Sequence, residues 1–282
     1  MKLVRFGEEG AENPGLLDDN GDIRDLSAHV GDIGGADLAP ATLARLAGLS
    51  PDSLPLVPGT PRLGSCISRP GKFIAIGLNY SDHALEMGLD IPNEPVVFMK
   101  ATSSICGPND DFIIPDATSK LDWEVELGII IGSRAQNIDE AQALDHIAGY
   151  CVVNDGSERV RQLERGGQWT KGKSHDSFGP VGPWMVTKDE VPDISNLVLT
   201  TKVDGNIMQN GTTETMIFSV PYIVAYLSRH MTLEPGDIIA TGTPPGVGMG
   251  MKPDPVFLTS GQRLTLEIEG LGRQDHNVVL AI

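Results

Sequence analysis

The chain has 282 residues, of which 40 % are apolar, and a formal net charge of −17. That length suits one large domain or a large and a small one, and that apolar share fills a sizeable core. The negative charge argues against nucleic acid or an anionic membrane surface as partner, because phosphate binding needs clustered Lys and Arg.

Taken in chain order, residues 1–65 read as a small N-terminal domain. Residues 3–6 and 15–17 alternate apolar and polar side chains, Asn20-Gly21 is a hairpin turn, and residues 40–49 are predicted helical with Pro40 at the first position. Pro51, Pro55, Pro58, Pro61 and Pro70 mark an extended connector. Residues 70–282 form the second, larger domain, in which short strands alternate with Gly/Pro turns. Strands are expected at 73–77, 96–99, 125–131, 150–153, 197–203, 238–241 and 264–268. Helices are expected at 138–147 with Asn137 as cap, at 157–164 ended by Gly166-Gly167, and at 219–229 with Pro221 in its first turn. Few helices interleave with the strands, which favours a β-rich α+β roll or barrel over a doubly wound sheet. The run Gly246-Val247-Gly248-Met249-Gly250 lacks the G-x-G-x-x-G spacing, and Lys252-Pro253-Asp254-Pro255 breaks any helix after it. A dinucleotide site is not expected there.

Three cysteines, Cys66, Cys106 and Cys151, are too scattered for a disulfide framework and read as reduced thiols. Residues 1–6 lack a signal-type apolar stretch, and no run reaches the roughly 18 apolar residues of a membrane helix. A cytoplasmic protein is expected.

Chemistry concentrates in Asp122-Trp123-Glu124-Val125-Glu126-Leu127-Gly128-Ile129-Ile130-Ile131. On a strand, Glu124 and Glu126 share one face and Trp123, Val125 and Leu127 the other. A solvated outer face would tolerate the two carboxylates. The apolar run that follows instead suggests a strand buried on both sides, where a carboxylate needs a partner or a metal. Asp155 ends the next apolar run. Three carboxylates make a hard oxygen site suited to Mg²⁺ or Mn²⁺. Upstream, His83 and Glu86 are three residues apart. If that segment is helical they share a face, either as a water-activating base with its orienting carboxylate or as an ordinary exposed pair.

Several segments carry a wider resemblance. They are Gly77-Leu78-Asn79-Tyr80-Ser81-Asp82-His83, Glu94-Pro95-Val96-Val97-Phe98-Met99-Lys100, Trp123-Glu124-Val125-Glu126-Leu127-Gly128, Asn154-Asp155, Lys171-Gly172-Lys173-Ser174, Met216-Ile217-Phe218-Ser219 and the run from Gly236 to Gly248. Together they resemble the fumarylacetoacetate hydrolase family, in family order over roughly residues 70 to 282. The resemblance implies a fumarylacetoacetate hydrolase-like mixed β-roll, a homodimer or dimer of dimers, and a small-molecule keto-acid substrate. It implies Glu124, Glu126 and Asp155 as ligands of Mg²⁺ (or Mn²⁺), Lys173 beside the substrate oxygens, and His83 with Glu86 as a dyad on a mobile lid. Arg159, Gln162 and Thr243 match positions that contact substrate, and Asp82 is not counted as a ligand. The implied reaction is hydrolysis of the C–C bond of a 2,4-dioxo acid to pyruvate and a carboxylic acid.

Within the family, Asp90-Ile91-Pro92-Asn93-Glu94-Pro95 and Ser174-His175-Asp176-Ser177-Phe178-Gly179-Pro180 resemble the sugar-acid branch, which acts on 2,4-dioxo-3-deoxy acids of fuconate or rhamnonate. His175 and Asp176 are then candidates for meeting substrate hydroxyls, or else turn residues. The same metal site would also serve oxaloacetate decarboxylation, dienedioate isomerisation or keto-pentenoate hydration. A non-catalytic keto-acid binder is the reading from another class.

Overall fold

A computed structural model describes residues 1–116 and 120–281. Among these residues the strands form a ten-stranded sheet, a five-stranded sheet and a two-stranded ribbon. The expected β-rich α+β roll is what the chain builds. From edge to edge the large sheet runs Ile23–Asp25, Asn13–Leu17, Lys2–Phe6, Gly179–Thr187, Ile147–Asn154, Val125–Ile131, Ile238–Ala240, Phe73–Gly77, Val96–Lys100, and the tenth strand, Ile105–Cys106, pairs off this path with Gly179–Thr187. The smaller sheet orders Asn206–Thr212, Val198–Val203, Arg263–Ile268, Gly272–Leu280 and Phe112–Ile114.

The alternation of strand side chains explains the two cores. Val125, Leu127, Ile129 and Ile131 face one hydrophobic cluster, shared with the five-stranded sheet and a helix, Val220–His230. Ile130 faces the opposite cluster, shared with the N-terminal residues. Every residue of Val125–Ile131 is buried, as expected of a strand covered on both faces. Glu126 and Gly128 lie on the Ile130 face, so the carboxylate is buried at the end of a central strand.

Residues 1–65 carry the expected Asn20-Gly21 hairpin: Asn13–Leu17 pairs with Ile23–Asp25, and Asp18 accepts from the backbone N–H groups of Asn20 and Asp22. The expected helix is α1, Pro40–Ala47. These residues are continuous with the large sheet, since Lys2 and Leu3 pair with Val186 and Met185. The remaining helices are α2, Ser81–Met87, α3, Thr170–Lys173, and α4, Val220–His230. Ser219 caps α4, its hydroxyl accepting from the Tyr222 N–H.

Two expected helices take other forms. At 138–147 the structure has a short 3₁₀ helix, Glu140–His146, and Ile147 already starts the next strand. Its cap is Asp139 rather than Asn137, in a reciprocal box with Gln142. Asn137 sits at φ 51 and its N–H donates to the Ser228 carbonyl, which ties the segment to α4. At 157–164, Ser157–Glu158 instead pairs with Leu121–Asp122, and a π-helical turn, Val160–Glu164, follows. The buried Glu158 carboxylate dictates this, because it accepts from the N–H groups of Lys120, Val160 and Arg161. The strands Gly179–Thr187, Asn206–Thr212 and Gly272–Leu280 were not expected.

We propose that residues 1–65 do not separate from the rest as an independent folding unit. Leu3, Leu16, Leu26, Ile33, Leu38 and Leu46 are buried in one cluster with Phe73, Ile130 and Val153. Each contributes about 1.5–3 kcal/mol by burial, against a total stability of roughly 5–15 kcal/mol. Deleting residues 1–65 is expected to abolish cooperative thermal unfolding, as followed by circular dichroism. A soluble fragment melting like the full chain would show two separable units.

Candidate active site

The site forms at the ends of two neighbouring strands of the large sheet. Glu124 and Glu126 open one central strand, and Asp155 follows its neighbour, Ile147–Asn154. Pairing of Val125 with Asn154 sets the register, and the Asp155 N–H donates to the Glu124 carbonyl. The Asn154 side chain accepts from the Glu124 N–H at 3.1 Å. Glu124, Glu126 and Asp155 are all buried and offer carboxylate oxygens within 4.8 Å of one another. Among the described residues this is the one such acidic group.

Cations surround the group unevenly. The Lys173 Nζ, presented by α3, lies 2.6 Å from Glu124 Oε2 and 2.5 Å from Asp155 Oδ2. Arg159 bridges Glu124 Oε1 and Asp122 Oδ2 at 2.7 Å each. Lys100 donates to Asp155 Oδ1 at 2.6 Å and to the Lys173 carbonyl, and so fixes both from behind. Burial alone would raise the Glu124 carboxyl, but Lys173 and Arg159 override it and hold it at about 2. Glu126 has only the Gly242 N–H, at 2.8 Å. Burial, then the charges of Asp155 and Glu124, push it well above the ordinary carboxylate range.

This imbalance is the test of fit for a metal. Four carboxylates, counting Asp122, face three cations, and the unneutralised one is Glu126. An all-oxygen donor set lacking positive charge suits a hard divalent cation such as Mg²⁺ or Mn²⁺. Glu124, Glu126 and Asp155 could hold it.

The expected dyad is present. On α2 the His83 Nδ1 lies 3.0 Å from Glu86 Oε2. With Nδ1 donating, Nε2 is the nitrogen that can take a proton. Glu86 Oε1 accepts from the Gly246 N–H at 2.9 Å, and a Cβ on Gly250 would fall 2.8 Å from the Glu86 carboxyl carbon. The Gly248 and Met249 N–H groups donate to Asp122. The glycine-rich run thus cradles the chain's own carboxylates. Asp82 accepts from Thr215 Oγ1 at 3.1 Å and helps dock α2, outside the acidic group.

His83, Glu124, Glu126, Asp155, Arg159, Gln162, Lys173 and Thr243 all line one cavity of about 430 Å³. Arg159 and Gln162 meet each other, Nη1 to Oε1 at 2.9 Å, and the guanidinium is otherwise occupied by Asp122 and Glu124. The Thr243 hydroxyl donates to the Val125 carbonyl and accepts from Gln209. His175 and Asp176 do not line the cavity: the His175 ring packs 5.0 Å from Phe178. Sequence reasoning gave no role to Asp122 or Lys100. The available signal was the same as for Glu126, a charge beside an apolar strand.

The Glu126 imbalance sets a pH dependence. Its folded value is above the ordinary 4.5, so its contribution to stability is complete below 4.5 and is lost as pH rises through the folded value. Glu124 has the opposite sign, its contribution being lost as pH falls from 4.5 towards 2. Metal-free protein is therefore expected to weaken above pH 4.5, and Glu126→Gln to remove that loss. Mn²⁺ at about 100 times its Kd should stabilise the native chain by about 2.7 kcal/mol and leave Glu126→Gln unmoved in thermal melts. An undiminished Mn²⁺ shift in Glu126→Gln would dismiss the site.

Known proteins share this arrangement of chain. The family model for the fumarylacetoacetate (FAA) hydrolase C-terminal region matches residues 72–279. A Burkholderia ambifaria protein named only as a hydrolase is 62 % identical over 274 residues, 97 % of each chain. Fumarylacetoacetate hydrolase from psychrophilic Exiguobacterium antarcticum is similar over the whole of both chains, with TM-score 0.85 and 37 % identity. Maleylpyruvate hydrolase from Sphingobium sp. SYK-6, in complex with manganese (II) ion and pyruvate, is similar over the whole of both chains with TM-score 0.80 and 29 % identity. With the family model covering most of its length, this chain belongs to the fumarylacetoacetate hydrolase family.

Proposed function

We propose that the chain is a divalent-metal-dependent enzyme that hydrolyses the C–C bond of a 2,4-dioxo acid, releasing pyruvate and a carboxylic acid. One observation carries this reading: a histidine–carboxylate base and a cation-demanding acidic group face the same cavity. The manganese and pyruvate held by the Sphingobium relative support it.

Glu124, Glu126 and Asp155 would hold the Mg²⁺ or Mn²⁺. When bound, that cation supplies Lewis-acid withdrawal at the 2-oxo acid end of the substrate. Lys173 adds positive charge beside Glu124 and Asp155, where burial gives it full effect; those neighbours overcome the cost of burial and hold the ammonium above its ordinary value. Arg159 fixes Glu124 by its pairing with Oε1. His83 takes a proton from water at Nε2, and Glu86, held by Gly246, keeps the ring in that orientation. The water oxygen bonds to the C4 carbonyl carbon, the C3–C4 bond breaks, and its electron pair stays with the pyruvate half. The proton on His83 is then available to C3. His83 is only 6 % exposed, so the docked α2 shields the proposed base itself from solvent.

The sugar-acid strings favour a polyhydroxylated arm, yet His175 and Asp176, which would meet its hydroxyls, lie off the cavity. A decarboxylase needs the electron sink but no hydroxide, so the dyad favours hydrolysis. His83→Ala is expected to lower kcat for pyruvate release from acylpyruvates by on the order of 10²–10⁴ while affecting oxaloacetate decarboxylation less. Unchanged acylpyruvate cleavage in that variant, in a coupled pyruvate assay, would remove His83 from the mechanism.

A further inference from the structure

From the lining of this cavity we infer that the substrate's distal arm is an apolar acyl chain, carrying neither a second carboxylate nor a row of hydroxyls. The inference rests on the 2-oxo acid reading of the acidic end. Apart from the charged and polar groups already described, the side chains of the lining are apolar, among them Leu78, Met87, Leu89, Phe98, Trp169 and Met249, with Leu89 and Leu163 partly exposed to solvent. The change is abrupt, for the Phe98 ring lies 5.2 Å from the Lys173 Nζ and packs edge-on against Trp169 at 5.2 Å between centroids.

Charge accounting excludes a dicarboxylic arm. Among the described residues lining the cavity, the fixed cations are Arg159 and Lys173, and both are committed to Asp122, Glu124 and Asp155. A second carboxylate entering the apolar end would be buried without a partner. Hydroxyls fare little better. Of the polar side chains in the lining, Thr243 is bonded to Val125 and Gln209 and Gln162 Oε1 accepts from Arg159, so the Gln162 amide N–H₂ and His83 Nε2 are the groups left for a row of hydroxyls. An alkyl or aryl arm needs none of these groups and removes its own surface from water.

Gly77 sets the reach of this wall. A Cβ there would fall 2.4 Å from Trp169 Cζ3, so the indole can lie flat against the strand end only because residue 77 has no side chain. Gly77→Ala must displace the indole from this position and so change the shape of the wall. Met87 and Leu89 come from α2 and the residue just beyond its Gly88 cap, so docking of α2 closes the apolar end as well as the catalytic one.

The test is calorimetric binding of 2-oxo acids to the Mn²⁺-loaded protein. From pyruvate through 2-oxohexanoate to 2-oxooctanoate, affinity should rise by about threefold to fourfold per methylene until the cavity fills. 2-Oxoadipate and 2-ketogluconate should bind at least about 100-fold more weakly than 2-oxohexanoate. Trp169→Ala should flatten the chain-length series, and Gly77→Ala should weaken 2-oxooctanoate while sparing pyruvate. Leu89→Arg should recover binding of 2-oxoadipate. Equal or tighter binding of 2-oxoadipate or 2-ketogluconate by the native chain overturns the inference. If pyruvate itself does not bind, the 2-oxo acid reading falls and takes the inference with it. If the series behaves as stated but no acylpyruvate releases pyruvate, the hydrolase reading alone is lost.

Discussion

Burial of carboxylates against too little positive charge is the constraint from which the rest of this structure follows. An ion taken from water into a protein interior costs several kcal/mol even after relaxation, and it persists only when paired. Glu124 and Asp155 have Lys173, Lys100 and Arg159 around them. Glu126 has one backbone N–H. A fold that stabilised only itself would place an apolar residue at that strand position, as it does at Ile130 on the same face. Keeping Glu126 there stores an electrostatic deficit that a divalent cation would remove.

Three otherwise unrelated features hold the carboxylates around Glu126 and leave that one unpaired. Lys100, deep in the sheet, reaches both Asp155 and the Lys173 carbonyl, so the short helix bearing one cation is anchored by another. Burial nevertheless lowers its pKa despite the neighbouring Asp155. The π-helical turn after Glu158 delivers Arg159 to Asp122 and Glu124 together. The glycine-rich run donates N–H groups to Asp122 and to Glu86, and so links the support of Arg159 to the anchoring of the dyad. Backbone amides do this without bringing another charge into the site.

Much of this was legible in the sequence because local pattern and local geometry agree. The two glutamates alternate with apolar neighbours, so shared facing followed from the strand period alone, and the His83–Glu86 contact from the helical one. Legibility ends where a residue's role depends on a distant partner. Gly272–Leu280 reads as polar, yet its Gln274 is buried because the amide donates to the carbonyls of Val152, Pro180 and Gly182. Gly179–Thr187 carries two prolines and two glycines and reads as a turn, but both neighbouring strands hold it in register. Glu158 looked like one more helical residue, until its carboxylate proved to bind three backbone N–H groups.

The two ends of the cavity obey opposite rules, and that opposition separates chemistry from selectivity. At the acidic end Glu124, Asp155, Arg159 and Lys173 are held by directional ion pairs, so small displacements are costly and the geometry is narrowly set. At the apolar end the contacts are dispersive and non-directional, and volume is the quantity conserved. Substitutions at Trp169, Met87 or Leu89 can therefore alter which arm is accepted without disturbing the ion pairs around Glu124. Gly77 stands at the junction, since its missing side chain sets the position of the indole while its strand, Phe73–Gly77, leads into α2 and the dyad. The same backbone thus fixes where His83 and Glu86 stand and where the indole of Trp169 packs.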